Sequence, residues 1–308
     1  GKVQHNGALV VGDSYTSELT AKLPPAKAGS YRIIVRSDIY NEVSEGVNDR
    51  NNTTASAAAI AVGVPTLALG VPLQTTLAPG EQRLYRVVVG ANETLQVGLD
   101  AADNTTSNEL YVRYGDAASA SAFDFGALQV LSSDPTAVVP TTQAGEYYVL
   151  VQGRPGSGAA SPVTLTARTL PFSITNVTQD QGGDSRWVST TITGAGFKPG
   201  AVVKLVRPGI LEVAPVRYEV VDATTIKAIF DLTGVPHGLY DVAVINPDGA
   251  LATLPYRYLV ETAMPIDVTI GLGGPRVVPS GQTGLYSISL QSLTNVDTPY
   301  VHFSFGVT

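Results

Sequence analysis

The apolar residues of this chain fall into short runs of four to eight positions with period-two alternation. The runs are rich in Val, Ile, Thr and Tyr, and Gly, Pro, Asn and Asp separate them, which is typical of β-strands joined by turns. The clearest runs are YRIIVRS, LYRVVVG, TLQVGL, ELYVRYG, YYVLVQG, VTLTART, AVVKLVR, RYEVVD, TIKAIFDL, YDVAVIN, LYSISL and YVHFSFGV. Helical periodicity is nearly absent, and we interpret the Ala-rich stretch Thr53 to Ala61 as a strand edge and a loop. The pattern predicts an all-β chain of tandem antiparallel β-sandwiches.

A short repeat supports this interpretation. A glycine turn is followed two positions later by a Tyr that begins an apolar strand, and this happens four times. The copies are Gly29-Ser-Tyr31, Gly145-Glu-Tyr147, Gly238-Leu-Tyr240 and Gly284-Leu-Tyr286. We expect each Tyr to place its ring in a core and its hydroxyl on nearby backbone, as a tyrosine corner does.

Pro-containing linkers divide the chain into four predicted modules. The linkers are Val64-Pro65, Leu170-Pro171 and Met264-Pro265. They predict modules at residues 1–62, 63–170, 171–262 and 263–308. The first and last are too short for a free-standing sandwich, because small domains bury too little surface. We therefore expect the chain to be a segment of a longer string of modules.

Composition narrows the classes of partner. The chain has 308 residues, with 19 Lys and Arg against 26 Asp and Glu, so its net charge is −7. Nucleic-acid binding and a polybasic membrane-surface role both need a basic face, so neither is expected. The chain has no Cys, which excludes disulfides, Cys-ligated zinc and a Cys nucleophile. No apolar run approaches the length of a membrane span, and the opening GKVQHNGALVV is not a signal peptide.

Four stretches resemble known modules. Residues 28–56, AGSYRIIVRSDIYNEVSEGVNDRNNTTAS, resemble the C-terminal half of a CARDB module. Residues 73–168 resemble a bacterial pre-peptidase C-terminal (PPC) domain, through LAPGEQRLYRVVV, NELYVRYGDAASASAFDF and TQAGEYYVLVQG. Residues 172–260 resemble an IPT/TIG immunoglobulin-like domain, through VSTTITGAGFKPGAVVKLV and GLYDVAVINPDG. Residues 266–308 resemble the start of a further immunoglobulin-like module. These resemblances imply a jelly-roll-like PPC sandwich and Ig-like modules.

Two groups of oxygen-bearing side chains are candidate calcium ligands. Calcium takes six to eight oxygen ligands in flexible geometry, and PPC domains of some secreted proteases bind it. The first group, in the PPC-like module, is Asp100, Asp103, Asn108, Asp116 and Asp124; the second is Asp38, Asn41 and Glu45. Neither group matches an EF-hand loop. The alternative is that Asp and Asn occupy turns by bonding their own backbone.

Other candidate chemistry is weaker. Gly12-Asp13-Ser14 has the shape of the nucleophile block in SGNH esterases, but the late acid and base, Asp297 and His302, lack the Asp-x-x-His spacing. His5, His237 and His302 have no zinc-ligand spacing. We expect Trp187 to be half-buried at a strand start, and we interpret Gly182-Gly183 as turn material.

Together these observations predict a non-enzymatic structural or adhesive spacer of a secreted or surface-anchored bacterial multidomain protein. Its partners would be other modules of the same polypeptide, with matrix, cell-surface or self-association partners as further candidates. Two alternatives remain open: an accessory docking region of a secreted hydrolase, and a filament subunit that a neighbour completes by strand exchange. No cofactor other than calcium is expected.

Overall fold

The structure is a computed structural model that describes residues 1–4, 7, 9–40, 42–43, 46–47, 52–129, 131–156, 158–299 and 301. Its regular elements are β-strands, and no α-helix occurs among the described residues, which confirms the all-β prediction. The strands are β1 (Gly29–Tyr31), β2 (Ile34–Arg36), β3 (Thr53–Ala55), β4 (Ile60–Val62), β5 (Leu73–Leu77), β6 (Gln82–Val89), β7 (Thr94–Ala101), β8 (Asn108–Tyr114), β9 (Phe125–Gly126), β10 (Thr136–Val139), β11 (Gly145–Gly153), β12 (Ser161–Leu170), β13 (Ser173–Thr178), β14 (Gln181–Gly183), β15 (Trp187–Ala195), β16 (Val202–Arg207), β17 (Leu211–Val213), β18 (Arg217–Asp222), β19 (Thr225–Asp231), β20 (Gly238–Ile245), β21 (Leu251–Glu261), β22 (Val268–Gly273) and β23 (Ser287–Ser292).

The chain folds into two compact units. The first comprises Gly1–Gly90, Gln96–Val138 and Gln143–Arg168, and the second comprises Ala91–Leu95, Val139–Thr142 and Thr169–Thr308. The four-module division of the sequence is finer than this and stays a prediction. In the described part of the chain, no helix has the length and apolar character needed to cross a membrane.

The first sandwich has two four-stranded sheets, in the orders β10-β7-β12-β5 and β6-β11-β8-β9. Buried positions alternate with more exposed ones along β7, β8 and β12, as expected for strands with one face on a core. Buried core residues include Leu77, Tyr85, Val87, Val97, Leu99, Leu110, Val112, Tyr147, Val149, Val151, Val163, Leu165 and Ala167. Each large aliphatic side chain buried here contributes about 1.5–3 kcal/mol.

Strand β11 is buried on both faces. Five consecutive residues, Tyr147 to Val151, are each at most 2% exposed. On the outer face, Leu150 pairs with Tyr111 of β8, and the Tyr111 ring lies 4.8 Å from that of Phe123. The loop between β8 and β9 therefore covers this face of the sheet.

The second sandwich has sheets in the orders β13-β15-β19-β18 and β14-β21-β20-β16-β17. Its core is a continuous cluster of apolar residues from both sheets, among them Val188, Ile192, Val203, Leu205, Ile226, Phe230, Tyr240, Val242, Tyr258 and Val260. Strand β18 lies at one end of its sheet and pairs with β19 alone among the described strands.

The repeated Tyr residues form the predicted corners. Tyr31 donates its hydroxyl hydrogen to the Lys27 carbonyl and Tyr240 to the Pro236 carbonyl, both at 2.8 Å. The Tyr147 hydroxyl accepts the Gln143 N–H at 2.9 Å. Each partner is a backbone group four residues upstream. The rings of Tyr147 and Tyr240 are also buried, so the prediction is confirmed for these two, whereas the Tyr31 ring is 41% exposed and not in a core as predicted. The fourth, Tyr286, instead reaches the more distant carbonyl of Pro275.

Glycine is required at two of these corners. Gly145 has φ +143° and Gly238 has φ +141°, a region that L side chains rarely adopt. A Cβ at Gly238 would also lie 3.0 Å from the Arg207 guanidinium carbon. The glycine and the tyrosine of this repeat are therefore one structural device: the first turns the chain, and the second anchors it.

The interpretation of Gly182-Gly183 as turn material is wrong. Both residues are buried in β14, which pairs in parallel with β21. A Cβ at Gly182 would lie 2.5 Å from a Leu232 methyl carbon and 2.8 Å from the Tyr258 hydroxyl oxygen. Glycine is needed here because the strand approaches the core closely.

Three two-stranded sheets lie outside the sandwiches: β1–β4, β2–β3 and β22–β23. The Ala-rich stretch contributes β3 and β4 with a loop between them, as interpreted from its sequence. Apolar side chains of β2 are exposed, with Ile34 at 68% and Val35 at 60%. The strand predicted at residues 300–307 lies almost entirely outside the described residues.

Candidate functional site

The candidate calcium ligands of the first sandwich occupy separate turns and strand ends. Asp103 accepts the Thr105 N–H at 2.9 Å and the Thr105 hydroxyl hydrogen at 2.8 Å. These bonds, the backbone one first, lower the pKa of the Asp103 carboxyl below its ordinary value. Asp124 accepts the Tyr114 N–H at 2.8 Å. These oxygens stabilise local backbone, as the turn interpretation expects.

The remaining three candidates differ in their surroundings. Asp116 accepts the Ala117 N–H at 2.8 Å and lies 3.3 Å from Arg113 Nη1. Asn108 is 5% exposed and donates from its amide to the Ser133 carbonyl at 2.7 Å. Asp100 is an exposed residue of β7. Across the described ranges, no three His, Asp or Glu side chains come together to hold a metal ion. Calcium in this sandwich stays a prediction.

The second candidate group is described only in part. Asp38 accepts the N–H groups of Glu42 at 2.7 Å and Val43 at 3.1 Å. Its φ of +39° places it in a tight left-handed turn. Asn41 and Glu45, the other two predicted ligands, lie outside the described residues.

The esterase-like block lies at an exposed turn near the start of the chain. Gly12-Asp13-Ser14 follows a turn in which the Asp13 N–H donates to the Val10 carbonyl at 3.0 Å. Asp297 accepts hydrogen bonds from Ser189, and His302 lies outside the described residues. Trp187 begins β15 as predicted but is 57% exposed rather than half-buried.

A group of polar contacts in the second unit surrounds Asn295, a residue that the sequence analysis did not single out. Asn295 is 7% exposed. Its Oδ1 accepts the Met264 N–H at 2.9 Å, and its Nδ2 donates to Glu261 Oε1 at 3.1 Å and the Thr262 carbonyl at 3.0 Å. Its own carbonyl accepts the Gly183 N–H at 2.8 Å. One side chain thus bonds the last residue of β21, Glu261, and two of the three residues that follow it, Thr262 and Met264.

Asp297 extends this arrangement to β15. Its Oδ1 accepts the Ser189 N–H at 2.8 Å and its Oδ2 accepts the Ser189 hydroxyl hydrogen at 2.7 Å. Its own N–H donates to the Trp187 carbonyl at 2.9 Å. We call Asn295, Asp297 and these partners the clamp. No local pattern marks it in the sequence, because the partners of the Asn295 and Asp297 side chains lie 31 to 108 residues away.

Asp184 bonds the start of the segment that follows β21. Its Oδ1 accepts the Ala263 N–H at 2.9 Å, and its Oδ2 lies 2.8 Å from His237 Nε2. The hydrogen bond with His237 first, and then the one from Ala263, lower the pKa of the Asp184 carboxyl. The ionised carboxylate therefore holds the chain where it leaves the second sandwich.

A matching contact lies in the first unit. Lys27 donates from Nζ to the Gly115 carbonyl at 2.7 Å, and the same atom lies 5.9 Å from the centre of the Tyr148 ring. Tyr148 in turn donates to Glu146 Oε2 at 2.9 Å, and Arg86 Nη1 lies 2.8 Å from Glu146 Oε1. The segment before β1 is thus bonded to the loop after β8.

No curated protein matches the chain. Among solved structures, the chain is similar to the crystal structure of Aeromonas hydrophila PliG, a periplasmic lysozyme inhibitor of g-type lysozyme. The match has 16% identity and a TM-score of 0.28, and it covers 34% of this chain and 96% of that one. The family model of the bacterial pre-peptidase C-terminal domain matches residues 82–153, which confirms the PPC-like part of the sequence analysis.

Proposed function

We propose that this chain is a non-enzymatic structural and adhesive spacer of a secreted or surface-anchored bacterial multidomain protein. The clamp is the observation that carries the proposal. A segment that follows the second sandwich is held to it by hydrogen bonds of Asn295 to Glu261 and Gly183 and of Asp297 to Ser189, rather than left as a free tether. Bonds of this kind let a series of modules transmit load without unravelling at the connections.

The module assignments support the same function. We infer that residues 171–262 form an IPT/TIG-like domain and residues 1–62 part of a CARDB-like module, on the resemblances given above. The PPC match supports a bacterial origin and a place outside the cytoplasm.

Single-molecule pulling tests the spacer proposal. The chain has no native Cys, so one Cys added at each end attaches handles specifically. We expect a separate force peak for each sandwich and an early event for release of residues 263–299. The variant Asn295→Ala/Asp297→Ala should lower the force of the early event, and the surface variant Asn104→Ala should not. Extension without force peaks would overturn the proposal.

The docking alternative draws on exposed apolar side chains of the first unit. Ile33, Ile34 and Val35 are 51%, 68% and 60% exposed, and exposed apolar clusters often mark interaction sites. If docking is the function, the chain should co-sediment with insoluble peptidoglycan, chitin or collagen. Ile34→Asp should then abolish co-sedimentation, whereas Glu18→Gln on the exposed N-terminal segment should not.

The catalytic alternative is tested at Ser14. We expect no labelling of the chain by a fluorophosphonate probe, since Ser14 follows a surface turn. Labelling that disappears in Ser14→Ala would contradict the non-enzymatic proposal.

A further inference from the structure

The edge strand β18 carries apolar side chains that no described strand covers. Val216, just before the strand, is 57% exposed, and Tyr218 and Val221 are 40% and 47% exposed. On its other side β18 pairs with β19. An edge strand presents a row of backbone donors and acceptors that a further strand can use.

Strand β18 contains no Lys and no Pro, two of the features that protect natural edges, although it has a bulge near its end. Such features include inward-pointing charges, Lys and Pro within the strand, and bulges. In β18 the register is regular from Arg217 to Val220, and a bulge separates Val220 from Asp222. Val220 packs against the core of the sandwich, so Tyr218, two positions earlier, shares the inner face of the sheet. Arg217 and Glu219 point to the outer face.

We propose that β18 pairs antiparallel with β18 of a second copy of this chain, about a twofold axis at Tyr218. Backbone groups that point away from β19 belong to every second residue of β18. Hydrogen bonding between the two copies therefore needs odd-numbered residues to face odd-numbered ones and even-numbered residues to face even-numbered ones. With Tyr218 opposite the second copy's Tyr218, Arg217 faces Glu219 of the other chain, and this happens twice. Val216 faces Val220 in the same way.

Charge complementarity selects this register over its neighbours. If the twofold axis passes through Glu219 instead, the two Glu219 side chains lie opposite each other. If it passes through Arg217, the two Arg217 side chains lie opposite each other. Like charges directly opposite destabilise a strand pair, and opposite charges stabilise it. Among the described residues, neither Arg217 nor Glu219 forms an ion pair within the chain.

The apolar row is complementary to itself in the same register. Val216, Tyr218 and Val220 of both copies would form one layer across the interface on the inner side. Strand β19 adds a favourable charge, because Lys227 lies opposite Glu219 in the chain's own sheet. Glu219 would then sit between Lys227 and the second copy's Arg217. Since the interface is isologous, association closes at two chains.

Sedimentation of the full chain across a range of concentrations tests the proposal. We expect a monomer–dimer equilibrium without higher species. Glu219→Arg and Arg217→Glu should each weaken dimerisation about tenfold or more, because two attractive pairs become repulsive. The double variant Arg217→Glu/Glu219→Arg should restore it. Glu18→Arg makes the same charge change on the exposed N-terminal segment and should leave dimerisation unchanged.

Cross-linking tests the register itself. In a chain without Cys, Tyr218→Cys would place two thiols opposite each other on the axis, at a separation that a disulfide can span. Val221→Cys would place its two thiols roughly 20 Å apart along the strands. Oxidation should therefore cross-link the first variant and not the second, with unfolding temperatures confirming that both are folded. A chain that stays monomeric at high concentration, or a double variant that fails to recover, would overturn the proposal.

Discussion

At the residue scale, two buried tyrosines of the second sandwich differ in one bond. Tyr240 and Tyr258 are both fully buried. The Tyr240 hydroxyl donates to the Pro236 carbonyl at 2.8 Å, whereas no described residue meets the geometry of a hydrogen bond to the Tyr258 hydroxyl, although Thr190 lies near enough to lower its pKa slightly. Burial raises the pKa of Tyr258 to about 12. Comparison of Tyr240 with Tyr258 therefore separates the contribution of a buried ring to stability, which both have, from that of a hydrogen-bonded hydroxyl.

We predict opposite effects for the two Phe substitutions. Tyr258→Phe should leave stability unchanged or raise it by up to about 1 kcal/mol, because an unpaired buried hydroxyl is removed. Tyr240→Phe should cost about 1 kcal/mol, because it leaves a carbonyl without its donor. Urea unfolding of both variants measures the difference. Equal losses would show that Tyr258 has a partner in solution.

Backbone conformation at the corner glycines leads to a second prediction. Gly238→Ala should destabilise the second sandwich by about 1–3 kcal/mol, since alanine at φ +141° is strained and its Cβ meets Arg207. Gly63→Ala is the matched control, because no atom lies within 4 Å of its Cβ position. Urea unfolding should show a loss for the first variant only. A Gly238→Ala chain as stable as wild type would mean that the turn relaxes freely.

At the element scale, the connection after β21 depends on an ionised carboxylate. The folded pKa of Asp184 is lowered from its ordinary value near 3.8. A carboxyl with a lowered folded pKa contributes stability that is complete above its unfolded pKa and is lost as the pH falls through the folded one. The contribution of Asp184 should therefore begin to fall near pH 4 and be lost at lower pH, as the pH passes through the folded pKa.

We predict that Asp184→Asn makes the acid loss of stability shallower. Its unfolding temperature should lie below wild type at pH 5, and the difference should shrink as the pH approaches 2.5. Thermal unfolding at half-unit steps measures this, with Asp13→Asn in the exposed N-terminal turn as the control. A difference that stays constant with pH would mean that the carboxylate charge is not what holds Ala263.

The type of each element was predictable where the period-two pattern was long, whereas the exposure of individual side chains was not predictable. The runs at β6, β11, β19 and β20 were all predicted as strands and are strands. The glycines of β14 were misinterpreted, because the composition Gln-Gly-Gly is typical of a turn. The reason for glycine here is the neighbouring core, which leaves no space for a Cβ. Trp187 was placed on the correct element, but its exposure depends on what packs beside the first residue of β15.

At the scale of the whole molecule, the calcium prediction has a direct test. The acids of the first sandwich accept hydrogen bonds from nearby N–H groups, as Asp103 and Asp124 do. If calcium binds, the unfolding temperature should be higher in millimolar Ca²⁺ than in excess EDTA, whereas acids that only stabilise turns would give no difference. A bound ion at a hundredfold excess over its Kd would add about 2.7 kcal/mol. A rise of several degrees with Ca²⁺ would restore the five predicted ligands as a site, and Asp100→Asn would be the first variant to examine.

Self-association distinguishes the proposals at this scale. Pairing of β18 with its copy closes at two chains, whereas strand exchange between chain ends would continue into a filament. A loss of dimer in Glu219→Arg leaves the spacer proposal intact, since load-bearing depends on the clamp and not on the edge. The two proposals can therefore fail separately.

The sequence by itself determined the all-β class, the strands with clear alternation, the PPC-like stretch and the tyrosine corners, because these depend on side-chain periodicity and contacts four residues apart. Only the tertiary structure decided which polar groups meet. Asn295 reaches Met264, and Asp297 reaches Ser189, across separations that no local pattern encodes. It also decided that β18 lies at an edge, since strand order depends on how distant strands pair. Local chemistry specifies the elements, and the free energy of packing them chooses their neighbours.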